Sequence, residues 1–247
     1  LFYTLLARNL SVCTIVASPI SMRQGLLLEM CDNGGDPQRL EDQIIRSVLA
    51  VGRKFNFDEQ HASYASFLCT ELFNALKKEH ALAQWMLRPL TVAAYLHDIG
   101  LFISPRDHHK HSMYCIRHSE LFGLNKRELW YAALIARYHR GAGPKPSHEE
   151  FVHLSFSERM IITKLAAILR IADALDRSNT QQIRRIECTV EDDTFIIQAQ
   201  SDTDLTIESL ALQAKKNLFV NVFGLDVFLR TKNTPLGDRS TIRDNKL

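Results

Sequence analysis

The sequence predicts a mainly α protein: a long helical region, then a small β-β-α-β unit, with a short strand-helix segment ahead of both. Apolar residues recur at three- and four-residue spacing from Ile44 almost to Ser178, and after Arg184 the period switches to alternation. Size agrees with this, because 247 residues with 46% hydrophobic and 23% charged can bury a full core as one large domain or two smaller ones.

Residues 12–17 read as a strand and 21–28 as the start of a helix, but one strand makes no fold alone. Residues 32–37 are a turn-rich linker. Beyond it Ile44, Ile45, Val48, Leu49 and Val51 keep helical spacing. Asp58 is a good N-cap for a helix whose stripe includes Tyr64, Ala65, Leu68, Leu72, Ala75 and Leu76, with His61 on the same face. Further helices are expected over 89–99, 110–122, 126–139 and 157–178, the last capped by Ser157. Residues 141–146 form a loop by composition. Ile186, Cys188 and Val190, then Phe195, Ile196 and Ile197, predict a hairpin turning at Glu191-Asp192-Asp193. An amphipathic helix through Leu210, Ala214, Leu218 and Phe219 leads to a last strand over 226–229 and a polar tail. The expected organisation is therefore 1–36, 37–180, 181–232 and 233–247.

Composition excludes several classes. Charges break every apolar run well short of the roughly 20 residues a membrane-spanning helix needs. No basic segment precedes Leu1-Phe2-Tyr3 and no small-residue cleavage site follows, so no secretory signal is expected, and the missing initiator methionine points to a trimmed or partial chain. Cys13, Cys31, Cys69, Cys115 and Cys188 are odd in number and lack a Cys-x-x-Cys pair, which predicts reduced thiols and a cytoplasmic location. A net charge of +2 points to no sequence-specific nucleic-acid role.

The chemistry gathers around Ala94-Tyr95-Leu96-His97-Asp98-Ile99-Gly100. A buried carboxylate is costly without a cation or several donors. With Gly100 as helix terminator, Asp98 also lies at the negative end of the helix dipole. A bound metal relieves both. His61 and Asp173 lie on two other helices, giving the order His, His-Asp, Asp. Imidazole with carboxylate suits Mn, Fe, Zn or Ni, with Mg also compatible, and does not distinguish them. His111 and His139 add nitrogens for a second ion, or donors to a phosphate. Lys110, Arg137, Arg140 and Lys145 flank the site as candidate phosphate ligands. His108 and His109 read as solvated neighbours, His80, His148 and His153 as surface residues, His118 as part of a helix face, and Asp176 as an exposed helix end.

The ordered residues His61, His97-Asp98 and Asp173 resemble the HD superfamily of metal-dependent phosphohydrolases, whose fold is a compact helical bundle. A narrower likeness surrounds them. His97-Asp98-Ile99-Gly100-Leu101-Phe102-Ile103-Ser104, His109-Lys110-His111-Ser112, Ser119-Glu120-Leu121-Phe122-Gly123-Leu124, Ala136-Arg137-Tyr138-His139-Arg140 and Asp173-Ala174-Leu175-Asp176-Arg177-Ser178 resemble the C-terminal region of the Ppx/GppA exopolyphosphatases. Met22-Arg23-Gln24-Gly25-Leu26-Leu27 is similar to the last strand-to-helix passage of that family's actin-like half, although the usual Leu-Arg-Glu-Gly reads Met-Arg-Gln-Gly.

The resemblance implies that 1–36 is the remnant of an actin-like phosphatase domain with its linker, 37–180 an HD-type bundle and 181–232 a small α+β domain. It also implies that the glycine-rich phosphate loops and catalytic glutamate of the actin-like half are missing from this sequence. Processive release of phosphate from long-chain polyphosphate by this chain alone is therefore expected to be negligible. Some relatives have lost the metal dyad, and this chain departs from them by keeping His61, His97, Asp98 and Asp173. The expected function is hydrolysis of a phosphoester or phosphoanhydride in the polyphosphate or nucleotide class, assisted by one or two divalent ions. In that scheme His61, His97, Asp98 and Asp173 hold the first ion, Asp98 orients the water, and His111 and His139 complete a second site. The alternative is a non-catalytic polyphosphate- or nucleotide-binding module that supports a homodimer.

Overall fold

The structure, a computed structural model, describes residues 37–232; the expected strand at 12–17, the helix start at 21–28, the tail from 233, Cys13 and Cys31 lie outside them. The chain divides into two compact units between Gln43 and Ile44, and every candidate site residue belongs to the second. The fold is mainly α with one small sheet. Its elements are α1 (Pro37–Lys54), α2 (Glu59–Ala75), α3 (Lys77–His80), α4 (Leu87–Leu96), α5 (His108–Arg117), α6 (Lys126–Arg137), α7 (Glu149–Val152), α8 (Phe156–Leu175), β1 (Arg185–Glu191), β2 (Thr194–Gln200), α9 (Thr206–Lys215), α10 (Asn217–Phe223) and β3 (Asp226–Lys232), with 3-10 turns at Gln84–Met86 and Ile99–Phe102.

Helix α8 is the axis of the second unit. Its residues from Leu165 to Leu175 are buried on every face, as expected of a helix without a polar side. It packs against α2, α4 and α6 on one side and against α9 and α10 on the other. The strands order β1-β2-β3, with β1 antiparallel to β2 and β2 parallel to β3. A parallel pair needs a crossover, and α9 and α10 supply it. Phe195, Ile196, Ile197 and Ala199 of central β2 are buried. The crossover brings α9 onto α8 and so brings Lys215 to Asp173.

Several sequence expectations hold locally. Asp58 caps α2, its Oδ1 accepting from His61 N at 3.0 Å, and the hairpin turns at Asp192 with φ 50°. Others need correction. Helix α8 starts at Ser155 rather than Ser157, because Ser155-Phe156-Ser157-Glu158 closes a capping box: Ser155 Oγ accepts from Glu158 N at 3.3 Å and Glu158 Oε2 from Ser155 N at 3.0 Å. We expect Ser155→Ala to cost about 1 kcal/mol in urea denaturation and Ser157→Ala almost nothing. The helix expected over 110–122 is displaced to His108–Arg117. The predicted C-terminal helix breaks into α9 and α10, and Leu210 is exposed while Glu208 and Leu212 face inward. His80 is a core residue, its Nε2 donating to Phe73 O at 2.8 Å and its Nδ1 accepting from Leu82 N at 2.8 Å.

Gly100 also has a different role from the one expected. Helix α4 already ends at Leu96, and Gly100 sits inside the following 3-10 turn without a positive φ. A Cβ there would lie 2.1 Å from His108 O and 2.5 Å from Ser112 N. Glycine is required because the backbone of α5 crosses this close, and Ser112 Oγ locks the crossing by accepting from Gly100 N at 2.9 Å. Cys69, Cys115 and Cys188 are free thiols among the described residues.

Candidate metal centre

Four imidazoles are anchored in the same way. At the end of α4, His97 Nδ1 donates to Ala94 O at 2.8 Å; at the end of α6, His139 Nδ1 donates to Ala136 O at 2.7 Å. At the start of α5, His108 Nδ1 donates to Pro105 O at 3.1 Å, and on α2 His61 Nδ1 donates to Asp176 Oδ2 at 2.8 Å. These partners assign the tautomer, leaving each Nε2 as a lone pair. An outer oxygen fixing one ring nitrogen while the other points inward is the usual arrangement of a ligating histidine.

The four Nε2 atoms converge on Asp98. His61 Nε2 and His97 Nε2 are 3.3 Å apart, and His108 Nε2 and His139 Nε2 3.4 Å. Asp98 Oδ1 lies 3.1 Å from His108 Nε2 and 3.4 Å from His139 Nε2, while Oδ2 lies 3.6 Å from His97 Nε2. Facing lone pairs repel unless a proton or a cation lies between them. Bonds of about 2.0–2.2 Å to one ion would set its ligand atoms roughly 3–3.5 Å apart, which is the spacing seen. Asp98 Oδ1 is itself buried without an aligned hydrogen bond. The ligand atoms form two triples, His61-His97-Asp98 and Asp98-His108-His139, with Asp98 common to both.

The remaining sequence candidates divide. Asp173 lies beside the first triple, with Oδ1 3.9 Å from His61 Nε2 and Oδ2 paired with Lys215 Nζ. His111 belongs to neither triple, and His108, read from the sequence as a solvated neighbour, is buried in the second. The sequence puts the start of α5 two residues too late, and the face on which each of His108, His109 and His111 falls depends on that start. Asp176 is likewise buried rather than an exposed helix end. Its signal is present in the spacing, because Asp173 and Asp176 are three apart and share a helix face. Lys215 has no such signal, since only the crossover brings it near. Of the basic candidates, Arg140 reaches the site, with Nη1 3.4 Å from both ring nitrogens of His108. Arg137 is buried against Tyr138 with Nε 4.0 Å from Glu150, Lys110 pairs with Asp107, and Lys145 is exposed in the loop; none of the three lines a cleft at Asp98.

Electrostatics favour a charged Asp98. Burial opposes its ionisation, but His97, His108 and His139 outweigh burial and hold its pKa well below the ordinary value. Burial likewise opposes ionisation of Asp173, and Lys215 and His97 prevail and lower its pKa. His61 and His108 lose basicity to burial and regain more, His61 from Asp176 and Asp173 and His108 from Asp98, so both end raised. His139 is pushed down to about 3 by burial and by His97.

Two clefts open on Asp98 from opposite triples. One, of about 310 Å³, is walled by Phe55, Phe57, Tyr95, Leu101 and Phe102 and reaches His61 and His97. The other, of about 350 Å³, reaches His108 and His139 and is lined by Arg140, Arg170, Arg177 and Lys215. Arg170 is partly committed, donating to Tyr138 O and Gly141 O. The Asp98 side chain keeps 34% of its exposure.

The fold and site define a helical domain carrying imidazole and carboxylate groups spaced for a metal, beside a cleft lined by arginine and lysine. The chain belongs to the family Ppx/GppA phosphatase, domain III, which it matches over residues 45–218. It is similar to the guanosine-5'-triphosphate,3'-diphosphate pyrophosphatase of Pseudoalteromonas translucida, 26% identical over 186 residues that cover 74% of this chain and 35% of that protein. Proteins of the same name from Vibrio vulnificus and Vibrio campbellii are 25% identical over 79% of this chain and 28% identical over 49%, covering 39% and 24% of their own lengths. The chain thus spans well under half of these relatives. No helix among the described residues is long and apolar enough to cross a membrane.

Proposed function

We propose that this chain is a metal-dependent phosphohydrolase module acting on a phosphoester or phosphoanhydride, with residues 37–180 as its body and 181–232 as the unit that supplies Lys215. The observation that carries the reading is the convergence of four Nδ1-anchored imidazoles on Asp98. His61, His97, Asp98 and Asp173 would hold one ion, and Asp98, His108 and His139 a second. Divalent ions here would activate a water and stabilise phosphate oxyanions. Asp98, shared and partly open, orients the water. Arg140, Arg177 and Lys215 bind and orient the phosphate oxygens. Asp176 holds His61 in the tautomer that presents Nε2.

Plasma-emission analysis of the purified chain tests this: at least one tightly held divalent ion per chain supports it, and none after incubation with excess Mn and removal of free ion sinks it. Retention should depend on pH. A ligand nitrogen must be unprotonated, so binding is full at high pH and is lost as pH falls through the ligand pKa values. Because His61 and His108 lie above the ordinary histidine value of about 6.5, loss should begin at or above that pH, while His139 at about 3 does not limit it. Metal content unchanged between pH 8 and about pH 5 would contradict a histidine-rich site.

One contact favours the second reading, a non-catalytic polyanion-binding and dimerisation module. Lys215 already neutralises Asp173, as a resident cation would. In that case the chain would bind phosphate compounds without retaining metal.

A further inference from the structure

We infer that Lys215 is a movable counter-ion for Asp173: it holds the carboxylate while the first ion is away, and yields it to that ion by swinging into the cationic cleft to meet phosphate. The inference rests on the metal-centre reading and adds an order of binding to it.

Asp173 stands on the buried stretch of α8 with its side chain 11% exposed, and a carboxylate so buried needs a compensating cation. Two kinds of cation have access to it. Oδ1 faces the His61-His97-Asp98 triple, 3.9 Å from His61 Nε2, while Oδ2 pairs with Lys215 Nζ. An ion in that triple takes Asp173 as its fourth donor, but an ammonium on the same carboxylate neutralises it and repels a second cation so close by. The two cations therefore compete.

Lys215 is placed to give way. It ends α9, its side chain is 21% exposed, and it lines the same cleft as Asp173, Arg140 and Arg177. A flexible four-carbon stem lets its ammonium turn from the carboxylate to the cleft without moving the helix. Neighbouring cations are committed elsewhere: Arg170 donates to Tyr138 O and Gly141 O, and Lys216 Nζ donates to Asp226 Oδ1 at 2.7 Å. Phosphate in the cleft thus offers Lys215 a new anion as the divalent ion takes the old one. By linkage, phosphate strengthens binding of the first ion, and that ion strengthens binding of phosphate by the same factor. The Asp98-His108-His139 triple does not include Asp173, so its ion binds without this exchange.

The test is a calorimetric titration of the full chain with Mn, with and without inorganic phosphate, on the parent, Lys215→Met, Lys215→Gln and Lys216→Met. The parent should take one Mn tightly and a second weakly, with phosphate tightening the second. Lys215→Met should tighten that second ion about tenfold or more without phosphate, and phosphate should then add little. Lys216→Met removes the same charge one residue along and should titrate as the parent does. Glutamine keeps a neutral donor for Asp173, so Lys215→Gln decides the matter if circular dichroism shows the methionine variant unfolded. If Lys215 only pins α9 to α8, the folded Lys215 variants bind Mn no more tightly than the parent, or phosphate acts on all four proteins alike; either result overturns the inference. Failure of the metal centre itself looks different, because parent and variants alike then retain no Mn.

Discussion

Asp98→Asn is expected to remove tightly bound metal, lowering affinity by orders of magnitude, and to take any hydrolysis with it. Asp98 is the residue common to both ligand triples, so the substitution strikes both at once. The amide keeps the size and loses the anion. The effect on the metal-free protein is a second readout. If Asp98 were only a carboxylate at a helix end, removing its charge would stabilise the fold by about 0.3–1 kcal/mol. The environment argues the other way, because His97, His108 and His139 lower its folded pKa despite burial. A lowered acid pKa contributes stability that is present above the unfolded value of about 3.9 and is lost as pH falls through the folded value. Asparagine forfeits that contribution, which requires a protonated histidine beside Asp98, so the variant should melt lower in chelator at about pH 5.5, where His108 with its raised pKa is charged. A variant that keeps stoichiometric metal would sink the proposed centre.

Gly100→Ala is expected to destabilise the chain by about 3 kcal/mol or more, the upper end for overpacking. The new methyl group would meet His108 O at 2.1 Å and Ser112 N at 2.5 Å, and backbone atoms cannot rotate out of the way as a side chain can. Helix α5 must shift as a body, carrying His108 Nε2 from its 3.1 Å approach to Asp98. Melting temperature and the content of any second ion should therefore fall together. Gly143→Ala is the control, since its Cβ would meet only the end of the Leu218 side chain at 3.3 Å. Equal melting of the two variants would show that the crossing at Gly100 is not tight.

Much is legible in the sequence, for identifiable reasons. The 3.6-residue period locates the helices that pack around α8, and alternation locates the hairpin, because burying one face imposes those periods directly. His61, His97, Asp98 and Asp173 stand out in the sequence because a dipeptide and the face of a helix are local facts. Ser155 and Asp176 carry a signal too, in the S-x-x-E spacing and in the distance to Asp173, although the sequence reading places the cap at Ser157 and Asp176 at an exposed helix end.

By itself, then, the sequence determined the helical class, the β-β-α-β unit and the residue types gathered at the site, since each follows from the period or spacing of neighbouring residues. Tertiary structure alone decided that His108 rather than His111 faces Asp98, that Lys215 pairs with Asp173, and that an aromatic and a cationic cleft meet at one carboxylate. The first depends on a helix start whose register only the packing of α5 over Gly100 fixes. The others join residues far apart in the chain, 42 positions for Asp173 and Lys215, and no local period encodes which elements the crossover and the core bring together.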